Sequence, residues 1–383
     1  MKVYYWSPFI SKVATVSSVI RSAESLIKYS KQNISVSLVD AIGEWDQYRH
    51  KINSKIQIIK LNKKNYYNYL PRDSFIKSRL SYLFIFFLNF NKLKNLIISK
   101  EPNFLIIHLM TALPIFLTIF LKNNTKIILR ISGLPKLNIF RYIFWKLFGK
   151  KIYKITCPTL GTYQYLMEKK IFDKDKLCIL HDPAILLEDY AKKKFKKIPN
   201  FDFKDNKIIV GIGRLTKQKN FSLLISAFNE ILKKYPEYIL IILGDGEKKS
   251  EILKLIKTLG IENKVHLAGF QENVYQYLIK ADCFVLSSLW EDPGFVLLEA
   301  GLSNTTVISS NCKNGPQEIL DNENNGYLFK NNNLNDLLIK FDEFKKEKVS
   351  ELNKKKLKIK KEIKKFTLYS HFNSLRKIID LEN

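Results

Sequence analysis

The stretch IIVGIGRLTKQKNFSLLISAFNEILKKYPEYILIILGDGE, residues 208–247, decides the fold. It begins with an apolar run at Ile208–Gly211, continues with helical periodicity over Phe221–Lys234, and returns to an apolar run at Tyr238–Leu243. A strand, a helix and a second strand in this order favour two parallel strands joined by a crossover helix. The stretch therefore predicts the repeating unit of a doubly wound α/β sheet.

The same alternation continues through the rest of the second half of the chain. The predicted elements are the helix Lys248–Leu259, the strand Val265–Leu267, the helix Val274–Ala281, the strand Cys283–Leu286, the helix Gly294–Leu302 and the strand Thr306–Ser309. A highly charged helix is predicted over Lys345–Lys365. Strands that alternate with helices predict a parallel sheet with helices on both faces.

The first half contains a second series of the same kind. Its predicted strands are Lys2–Trp6, Ser35–Asp40, Phe104–His108 and Lys126–Ile131, and a helix is predicted over Val16–Tyr29. Asp182-Pro183 and the basic run Lys192–Pro199 indicate a linker. We therefore predict two Rossmann-like, doubly wound domains, at residues 1–190 and 200–365, and a C-terminal helix at 366–383 that packs back toward the first domain. Ligands bind at the carboxyl ends of such strands, so the predicted active site is a central cleft that both domains face.

The composition indicates a globular protein of a reducing compartment. The chain has 383 residues, of which 46% are apolar, and this length suggests two domains. Four cysteines lie far apart and read as buried thiols, not as a disulfide or zinc framework: Cys157, Cys178, Cys283 and Cys312. The N-terminus has no signal-peptide pattern. The most apolar stretch, Phe104–Leu121, contains His108 and Pro114, and a strand, a turn and a helix start explain it better than a membrane span. These features predict a cytoplasmic protein.

The positive charge is concentrated in the first half. Residues 1–200 hold 35 Lys and Arg against 12 Asp and Glu, whereas residues 201–383 hold 29 against 24; residues 51–150 alone hold 18 against 2. The first half is therefore expected to face an anionic partner: a membrane surface, nucleic acid or a phosphorylated substrate. Ser78–Lys94 and Asn138–Lys151 mix aromatic and aliphatic residues with cations, which suits the interface of an anionic membrane. The alternative is a pair of ordinary core helices with solvated lysines.

Two glycine-containing turns follow predicted strands. In GIGRLTKQKN, residues 211–220, Gly211 and Gly213 permit a tight turn, and Arg214 and Lys219 stand before the next helix. A helix N-terminus beside two cations is a candidate pyrophosphate site, although a glycine turn with solvated charges has the same pattern. The second turn, LGDGE at residues 243–247, is read as mainly structural.

The third stretch, EDPGFVLLE at residues 291–299, carries an acid on each side of a helix start. The first N–H groups of that helix, at Gly294, Phe295 and Val296, are available to an anion or a sugar hydroxyl. The Glu299 carboxylate can accept two hydrogen bonds from a cis-diol such as ribose, and Glu291, before the turn, is expected to be free to reach a second polyol. The alternative is a set of surface acids beside a helix.

These motifs resemble those of a known family. GIGRLTKQKN, LGDGE, VHLAGF and EDPGFVLLEAGLSNTTVISSN, in this order, resemble the nucleotide-sugar half of glycosyltransferase family 4, a retaining family with the GT-B fold. The first half is similar, through YWSPFISKVATV, LRISGLPKL and TCPT, to the acceptor domain of a bacterial surface-polysaccharide branch. The resemblance implies a retaining glycosyl- or hexosyltransferase. Its substrates would be a nucleotide sugar, with uridine favoured over guanosine, and a saccharide or polyprenyl-diphosphate-linked acceptor.

The resemblance also implies a role for individual residues. Arg214 and Lys219 would hold the donor diphosphate. Glu299 would bind the ribose, Glu291 the donor sugar, and the loop ending at Phe270 the base. His108 would lie near the donor sugar, although a satisfied strand-end histidine is the alternative. The implied catalytic residues are Glu291, His108, Arg214 and Lys219, and the implied donor-binding residues are Gly213, Arg214, Lys219, Gly269, Phe270, Gly294, Phe295, Val296 and Glu299.

The resemblance implies a front-face mechanism in which the departing phosphate accepts the acceptor proton. Arg214 and Lys219 would neutralise that phosphate, so no essential metal and no cofactor are expected; the triplet Asp173-Lys174-Asp175 is read as solvated. Two departures from the family pattern stand out. The loop Ser11–Thr15 has no glycine, and His181-Asp182-Pro183 replaces an asparagine-glycine turn, which predicts a stiffer hinge.

Three other functions fit parts of the sequence. A family member without activity could serve as a partner subunit. A net charge of +28 is compatible with nucleic-acid binding, but the aromatic residues lie in apolar runs and not on a basic platform, so no nucleic-acid partner is expected. Two carboxylates could serve a glycosidase, but the cations beside them favour a phosphate ligand. The combined prediction is an enzyme on the inner face of the cytoplasmic membrane, peripherally bound.

Overall fold

The computed structural model of the chain describes residues 1–11, 14–71, 74–121, 123–196, 198 and 206–381. It divides into two compact units. The first unit consists of Met1–Ala184 and Leu368–Asn383, and the second of Ile185–Thr367. Lys12 and Val13, in the glycine-free loop singled out above, lie outside the described residues, and so do Lys197 and Pro199 of the basic run.

The first unit is built on a seven-stranded parallel sheet with the strand order β3-β2-β1-β4-β5-β6-β7. Its strands are β1 (Lys2–Trp6), β2 (Ser35–Asp40), β3 (Gln57–Lys60), β4 (Phe104–Ile107), β5 (Lys126–Arg130), β6 (Lys154–Cys157) and β7 (Leu177–Ile179). Its helices are α1 (Ala14–Tyr29), α2 (Phe75–Lys100), α3 (Ala112–Leu117), α4 (Ile139–Phe148) and α5 (Leu160–Glu168).

The second unit has a six-stranded parallel sheet with the order β10-β9-β8-β11-β12-β13. Its strands are β8 (Lys207–Ile212), β9 (Tyr238–Leu243), β10 (Val265–Gly269), β11 (Cys283–Leu286), β12 (Thr306–Ser310) and β13 (Tyr327–Phe329). Its helices are α6 (Leu187–Lys193), α7 (Phe221–Lys234), α8 (Lys249–Leu259), α9 (Tyr275–Leu278), α10 (Phe295–Leu302), α11 (Pro316–Ile319), α12 (Leu334–Lys346) and α13 (Val349–Ile363). The last helix of the chain, α14 (Leu368–Ile378), belongs to the first unit.

The apolar pattern of the elements explains the layers. Every residue of β4 and β9 is buried, as expected for strands covered by helices on both faces. Helix α7 buries Phe221, Leu224, Phe228 and Ile231, which recur at helical spacing on one face. Each sheet has its own hydrophobic core. The predicted fold class, α/β with two Rossmann-like doubly wound domains, is confirmed.

The chain passes from one unit to the other at residues 184–185 and returns at 367–368. Helix α6 therefore belongs to the second unit, although the sequence prediction ended the first domain at residue 190. The two connecting segments pair with each other, because the Ile185 N–H donates to the carbonyl of Phe366 at 3.0 Å. Helix α14 then packs on α1 in the first unit.

The segment before the first connection is tied to the first unit by three elements. Asp182 is ion-paired with Arg130 of β5. A nitrogen of Arg21 in α1 donates to the carbonyl of Ala184 at 2.6 Å, and Nδ1 of His371 in α14 lies 2.7 Å from the carbonyl of His181. The stiffness predicted for this hinge stays a prediction.

Two predicted helices differ from the structure. The charged stretch Lys345–Lys365, predicted as one helix, is interrupted because Glu347 and Lys348 adopt extended backbone angles between α12 and α13. The helix predicted at Val274–Ala281 is a single turn, α9. Composition does not reveal the break between α12 and α13, since Glu347 and Lys348 are themselves good helix formers.

Candidate functional site

The second sheet changes direction between β8 and β11. From β8 the chain proceeds outward to β9 and β10 on one side, and from β11 it proceeds to β12 and β13 on the other. Crevices at such switch points, beyond the carboxyl ends of the strands, are the usual ligand sites of open parallel sheets. The loops that leave β8 and β11, residues 213–220 and 287–294, are two of the three stretches that the sequence singled out.

Lys219 and Glu291 join these two loops. Lys219 Nζ lies 2.5 Å from Glu291 Oε1, and the Ser288 hydroxyl donates to the same oxygen at 2.6 Å. The two charged side chains are only 14% and 6% exposed. Glu291 is therefore not the unpaired acid that the sequence suggested, because one of its carboxylate oxygens is occupied, and its contact with a sugar stays a prediction. Sequence spacing missed this contact because 72 residues separate the two partners.

Further hydrogen bonds keep the two loops side by side. The Ser287 hydroxyl donates to the carbonyl of Lys219 at 2.8 Å, and the Leu289 N–H donates to the carbonyl of Gln218 at 2.8 Å. The Gln218 amide donates in turn to the carbonyl of Trp290 at 2.9 Å. The backbone that carries Lys219 is thus fixed by the loop that carries Glu291.

Gly244, in the LGDGE turn, supports this arrangement from a third strand. Its φ is +150°, and a Cβ on it would lie 1.9 Å from the carbonyl oxygen of Gly213. Its N–H donates to the carbonyl of Gly269 at the end of β10, at 2.7 Å. The glycine therefore allows the loops after β8, β9 and β10 to touch, which is the structural role expected for this turn.

Helix α10 begins directly beside the ion pair. Its N-cap, Gly294, has a φ of +90°, and a Cβ there would lie 3.3 Å from Glu291 Cγ. Phe295, Val296 and Glu299 are half-buried on the helix that follows. Gly294 of this helix start thus adjoins Glu291, and the N–H groups of Phe295 and Val296 precede the first bonded one, that of Leu297, which donates to the carbonyl of Gly294 at 3.0 Å.

The remaining predicted residues of the second unit lie around the same edge of the sheet. Arg214 is exposed in the loop after β8, and Gly213, in the same loop, abuts Lys219, because a Cβ on Gly213 would lie 2.9 Å from Lys219 Cδ. Gly269 and Phe270 follow β10, where the Phe270 ring is 79% exposed. An exposed aromatic ring at a strand end is compatible with stacking on a planar base.

Cys312 lies close to the ion pair but is not suited to nucleophilic work. Burial raises the pKa of its thiol to about 11, and the negative charge of Glu291 acts in the same direction. A thiol with this pKa remains protonated at neutral pH. Cys312 is therefore not a candidate nucleophile.

His108 belongs to the first unit, where it follows β4. It is 1% exposed, and neither ring nitrogen has a hydrogen-bond partner among the described residues. Burial, together with the charges of Arg130 and His371, holds the pKa of His108 well below its ordinary value. The imidazole is therefore neutral at pH 7, so it can exchange hydrogen bonds but does not supply positive charge.

The sheet register reveals polar neighbours of His108 that sequence reasoning missed. Trp6 pairs with Val39 and with Ile107, and Ile107 pairs with Leu129, so the residues one step further along form a row across neighbouring strands. The row consists of Asp40, Ser7, His108, Arg130 and Thr156, and each member is buried. All five carry polar side chains at or just beyond the ends of apolar strands, and this repeated pattern was the signal available in the sequence.

Part of this row is hydrogen-bonded and part is not. Arg130 pairs with Asp182 and donates to the Ser22 hydroxyl at 3.3 Å, and Ser22 Oγ lies 2.8 Å from His371 Nε2. In contrast, Ser7 Oγ, Asp40 Oδ2 and Thr156 Oγ1 have no partner among the described residues. Buried polar atoms without partners are costly, and they concentrate at sites where a ligand or a water can satisfy them.

The Asp173-Lys174-Asp175 triplet has no metal-ligand surroundings in the described part of the chain. No group of three or more His, Cys, Asp or Glu residues there could hold an ion, and Asp173 pairs with Lys176 at 3.5 Å. The expectation of a metal-independent reaction stays a prediction.

The chain is similar in sequence to known glycosyltransferases. Residues 192–366 match the family model for glycosyl transferases group 1. The chain is 34% identical to an uncharacterized glycosyltransferase of Methanocaldococcus jannaschii over 247 residues, 60% of each chain. It is 30% identical over 223 residues to the N-acetylgalactosamine-N,N'-diacetylbacillosaminyl-diphospho-undecaprenol 4-alpha-N-acetylgalactosaminyltransferase of Campylobacter jejuni, covering 56% of this chain and 59% of the relative. The chain thus spans about 60% of the length of these curated relatives.

A solved structure covers the chain almost completely. The Anabaena protein HepE, in complex with UDP, has a TM-score of 0.75 to this chain at 13% identity, covering 99% of this chain and 100% of HepE. At this identity the likeness shows the fold alone, which is the GT-B class of two Rossmann-like domains.

Proposed function

We propose that the protein is a retaining glycosyltransferase that moves a sugar from a nucleotide-diphosphate donor to a saccharide or polyprenyl-diphosphate-linked acceptor. The observation that carries the proposal is the buried Lys219–Glu291 pair at the switch point between β8 and β11, beside the start of α10. A cation, a carboxylate and free helix N–H groups match the phosphate and the hydroxyl groups of a nucleotide sugar. The match of residues 192–366 to the group 1 model supports the same reaction.

The donor and acceptor classes have support from related proteins. The Anabaena neighbour was solved with UDP, which favours a uridine nucleotide for the present chain. The Campylobacter relative is named as transferring N-acetylgalactosamine to a diphospho-undecaprenol-linked sugar, which favours a polyprenyl-diphosphate-linked acceptor in surface-glycan synthesis. Two parts of the proposal rest on the sequence motifs: membership of glycosyltransferase family 4, and retention of the anomeric configuration of the transferred sugar.

In this proposal Lys219 and Glu291 each use one part of their hydrogen-bonding capacity within the protein and another part for the nucleotide sugar. Lys219 Nζ has three N–H donors, of which Glu291 uses one, so the others remain for the diphosphate. Glu291 Oε1 takes Lys219 and Ser288, whereas Oε2 accepts no hydrogen bond from a described residue and is the atom we assign to a sugar hydroxyl. Arg214 would add a second cation at the diphosphate, and Glu299 would accept the two ribose hydroxyls.

The transfer step balances without a protein nucleophile. The bond between the sugar C1 and the β-phosphate oxygen breaks, and its electron pair stays on the phosphate. The acceptor oxygen forms a new bond to C1 on the same face, and its proton passes to the departing phosphate oxygen. Arg214, Lys219 and the N–H groups at Phe295 and Val296 would stabilise the charge that develops on that phosphate. A role for His108 at the donor sugar rests on the family resemblance alone.

The test is a panel of UDP- and GDP-sugars in which nucleotide diphosphate release is followed with lipid-linked and free saccharide acceptors. We expect turnover with at least one UDP-sugar. We expect Arg214→Ala, Lys219→Ala and Glu299→Ala each to lower it at least about 100-fold, the loss expected when a charge-assisted contact to the transition state is removed. Lys217→Ala and Glu262→Ala remove an exposed cation of the same loop and an exposed acid of the same unit, and should leave turnover unchanged.

Two results would count against the assignment. Full turnover in the Arg214 and Glu299 variants would place the donor elsewhere. Tight nucleotide binding without turnover for any donor and acceptor would favour the alternative of an inactive partner subunit. Melting curves of each variant separate loss of the site from loss of the fold.

A further inference from the structure

Helix α2 buries Ile85, Leu93 and Ile97 on one face and exposes a second apolar row on the other. Its exposed residues recur at helical spacing along one face: Ile76, Leu80, Leu83, Phe84 and Phe87. The opposite face carries Ser81 and Asn89, which are fully buried and hydrogen-bonded to the carbonyls of Pro71 and Ile85 at 2.6 and 3.0 Å. The buried polar side chains of the inner face therefore have hydrogen-bond partners. The exposed apolar row is a feature of the outer surface of the helix.

Helix α4 carries a second exposed stripe. Ile139, Phe140, Ile143 and Leu147 lie on one face of it, and the Phe140 ring is 79% exposed. Trp145 is the residue of this helix that is buried in the core. Two helices of one unit thus each present an apolar row to the outside.

We call the two exposed rows together the α2–α4 face. An aromatic chain links the helices beneath it: the ring of Phe116 in α3 lies 6.1 Å from that of Phe86 in α2 and 6.0 Å from that of Phe148 in α4. Burial and the positive charge of Arg79 lower the pKa of Arg141. The ring of Phe116 therefore connects the two helices.

The charge around the α2–α4 face has one sign. Neither Phe75–Lys100 nor Ile139–Lys151 contains an Asp or a Glu, while Lys77, Arg79, Lys146 and Lys150 are exposed. Lysine and arginine side chains of this kind can reach anionic head groups while apolar neighbours enter the acyl region. Two copies of the face would instead bring like charges together, which disfavours a symmetric dimer through it.

We propose that the α2–α4 face docks on an anionic lipid bilayer. The apolar rows enter the interface and the cations contact the head groups, so binding requires both. None of the helices in the described ranges is long and apolar enough to cross a membrane. This surface lies within the first unit and is independent of the donor site, so it can be tested whether or not the proposed transferase activity is found.

The test is flotation of the full-length protein with vesicles of phosphatidylcholine alone or with about 30% phosphatidylglycerol, at low and high salt. The test variant is Leu83→Ser/Leu147→Ser. Its matched control is Leu253→Ser/Leu357→Ser, which makes the same change at leucines of comparable exposure, 49% and 61% against 54% and 65%, in the second unit. We expect binding only to the anionic vesicles, weakened by salt, and at least about tenfold weaker in the test variant than in the control.

Each other outcome overturns the proposal. Equal binding to both kinds of vesicle, or an equal loss in both double variants, would exclude a specific role of this face. If the chain alone forms a dimer that only the Leu83/Leu147 substitutions dissociate, and vesicles do not bind, a second copy covers the face. Salt-sensitive retention of RNA without vesicle binding would assign the cations to nucleic acid instead.

Discussion

Lys219 and Glu291 stand 72 residues apart in the chain, yet Nζ of the lysine lies 2.5 Å from Oε1 of the glutamate. Both side chains are largely buried, and each neutralises the other. The site is therefore assembled before any ligand arrives. The proposed donor would meet a lysine whose direction is already set, which lowers the entropic cost of binding.

The first prediction concerns the stability of this pair. Lys219→Met leaves the Glu291 charge buried without its partner, so we expect it to lower the free energy of unfolding by about 3 kcal/mol or more. The double variant Lys219→Met/Glu291→Met removes both charges and should recover most of that loss. Urea unfolding followed by circular dichroism measures the difference. Equal losses in the single and double variants would mean that the two charges are not coupled.

The second prediction concerns Glu299 and the ribose. If its carboxylate accepts the cis-diol, replacing UDP by 2′-deoxy-UDP should weaken binding by about 10- to 100-fold in the wild-type protein, the range for hydrogen bonds to a charged group. In Glu299→Ala the same replacement should change the affinity very little. Isothermal titration of the four combinations gives the coupling directly. If Glu299→Ala still binds UDP more tightly than 2′-deoxy-UDP by the same factor, another residue binds the 2′-hydroxyl.

The third prediction concerns the close approach at Gly244. A methyl group there would overlap the Gly213 carbonyl at 1.9 Å, and the φ of +150° adds backbone strain. We expect Gly244→Ala to lower the free energy of unfolding by about 3 kcal/mol and to displace the loop of Arg214 and Lys219. Gly260→Ala is the control, because Gly260 also has a positive φ, +67°, but nothing lies within 4 Å of its Cβ position. That variant should lose only about 1 kcal/mol.

Thermal or urea unfolding measures both glycine variants. Equal losses at the two positions would show that backbone strain, and not the close approach, determines the effect.

The fourth prediction concerns pH. Burial, with the charge of Arg130, holds the pKa of both His108 and His371 well below its ordinary value, so both are neutral in the folded chain. In the unfolded chain they take up protons near pH 6.5. Their contribution to stability is therefore present above that pH and lost as the pH falls below it, by up to about 1.4 kcal/mol per pH unit for each histidine.

The variant His371→Gln should remove about half of this slope between roughly pH 6.5 and pH 5. His50→Gln, at an exposed histidine of the same unit, should leave it unchanged. The free energy of unfolding measured across this interval gives the slopes. An unchanged slope in the His371 variant would show that this ring is charged in the folded protein.

The second unit was largely predictable from local sequence. Its strands are short apolar runs and its helices have clear periodicity, so β9 and α7 begin and end at the predicted residues. The helix start after Pro293-Gly294 was also predictable, since a Pro-Gly pair marks a turn and an apolar stretch with helical spacing follows it directly. Local patterns work here because each of them depends on neighbours within one or two turns.

The first unit was less predictable at positions whose role depends on whether the side chain is buried or exposed. The aromatic segments Ser78–Lys94 and Asn138–Lys151 fitted either a membrane interface or a core, and only the packed structure identifies which apolar residues remain outside. The buried row around His108 was missed because it depends on the register of five strands. Each residue of that row looks ordinary in its own segment.

The sequence by itself determined the two doubly wound sheets and the loops that carry the candidate site, because hydrophobic periodicity and glycine turns are local properties. Only the tertiary structure decided that Glu291 pairs with Lys219, that α2 and α4 expose their apolar rows, and that His108 is buried and neutral. Those properties depend on which side chains meet across strands and loops distant in the chain, and therefore on the folded arrangement of the whole unit.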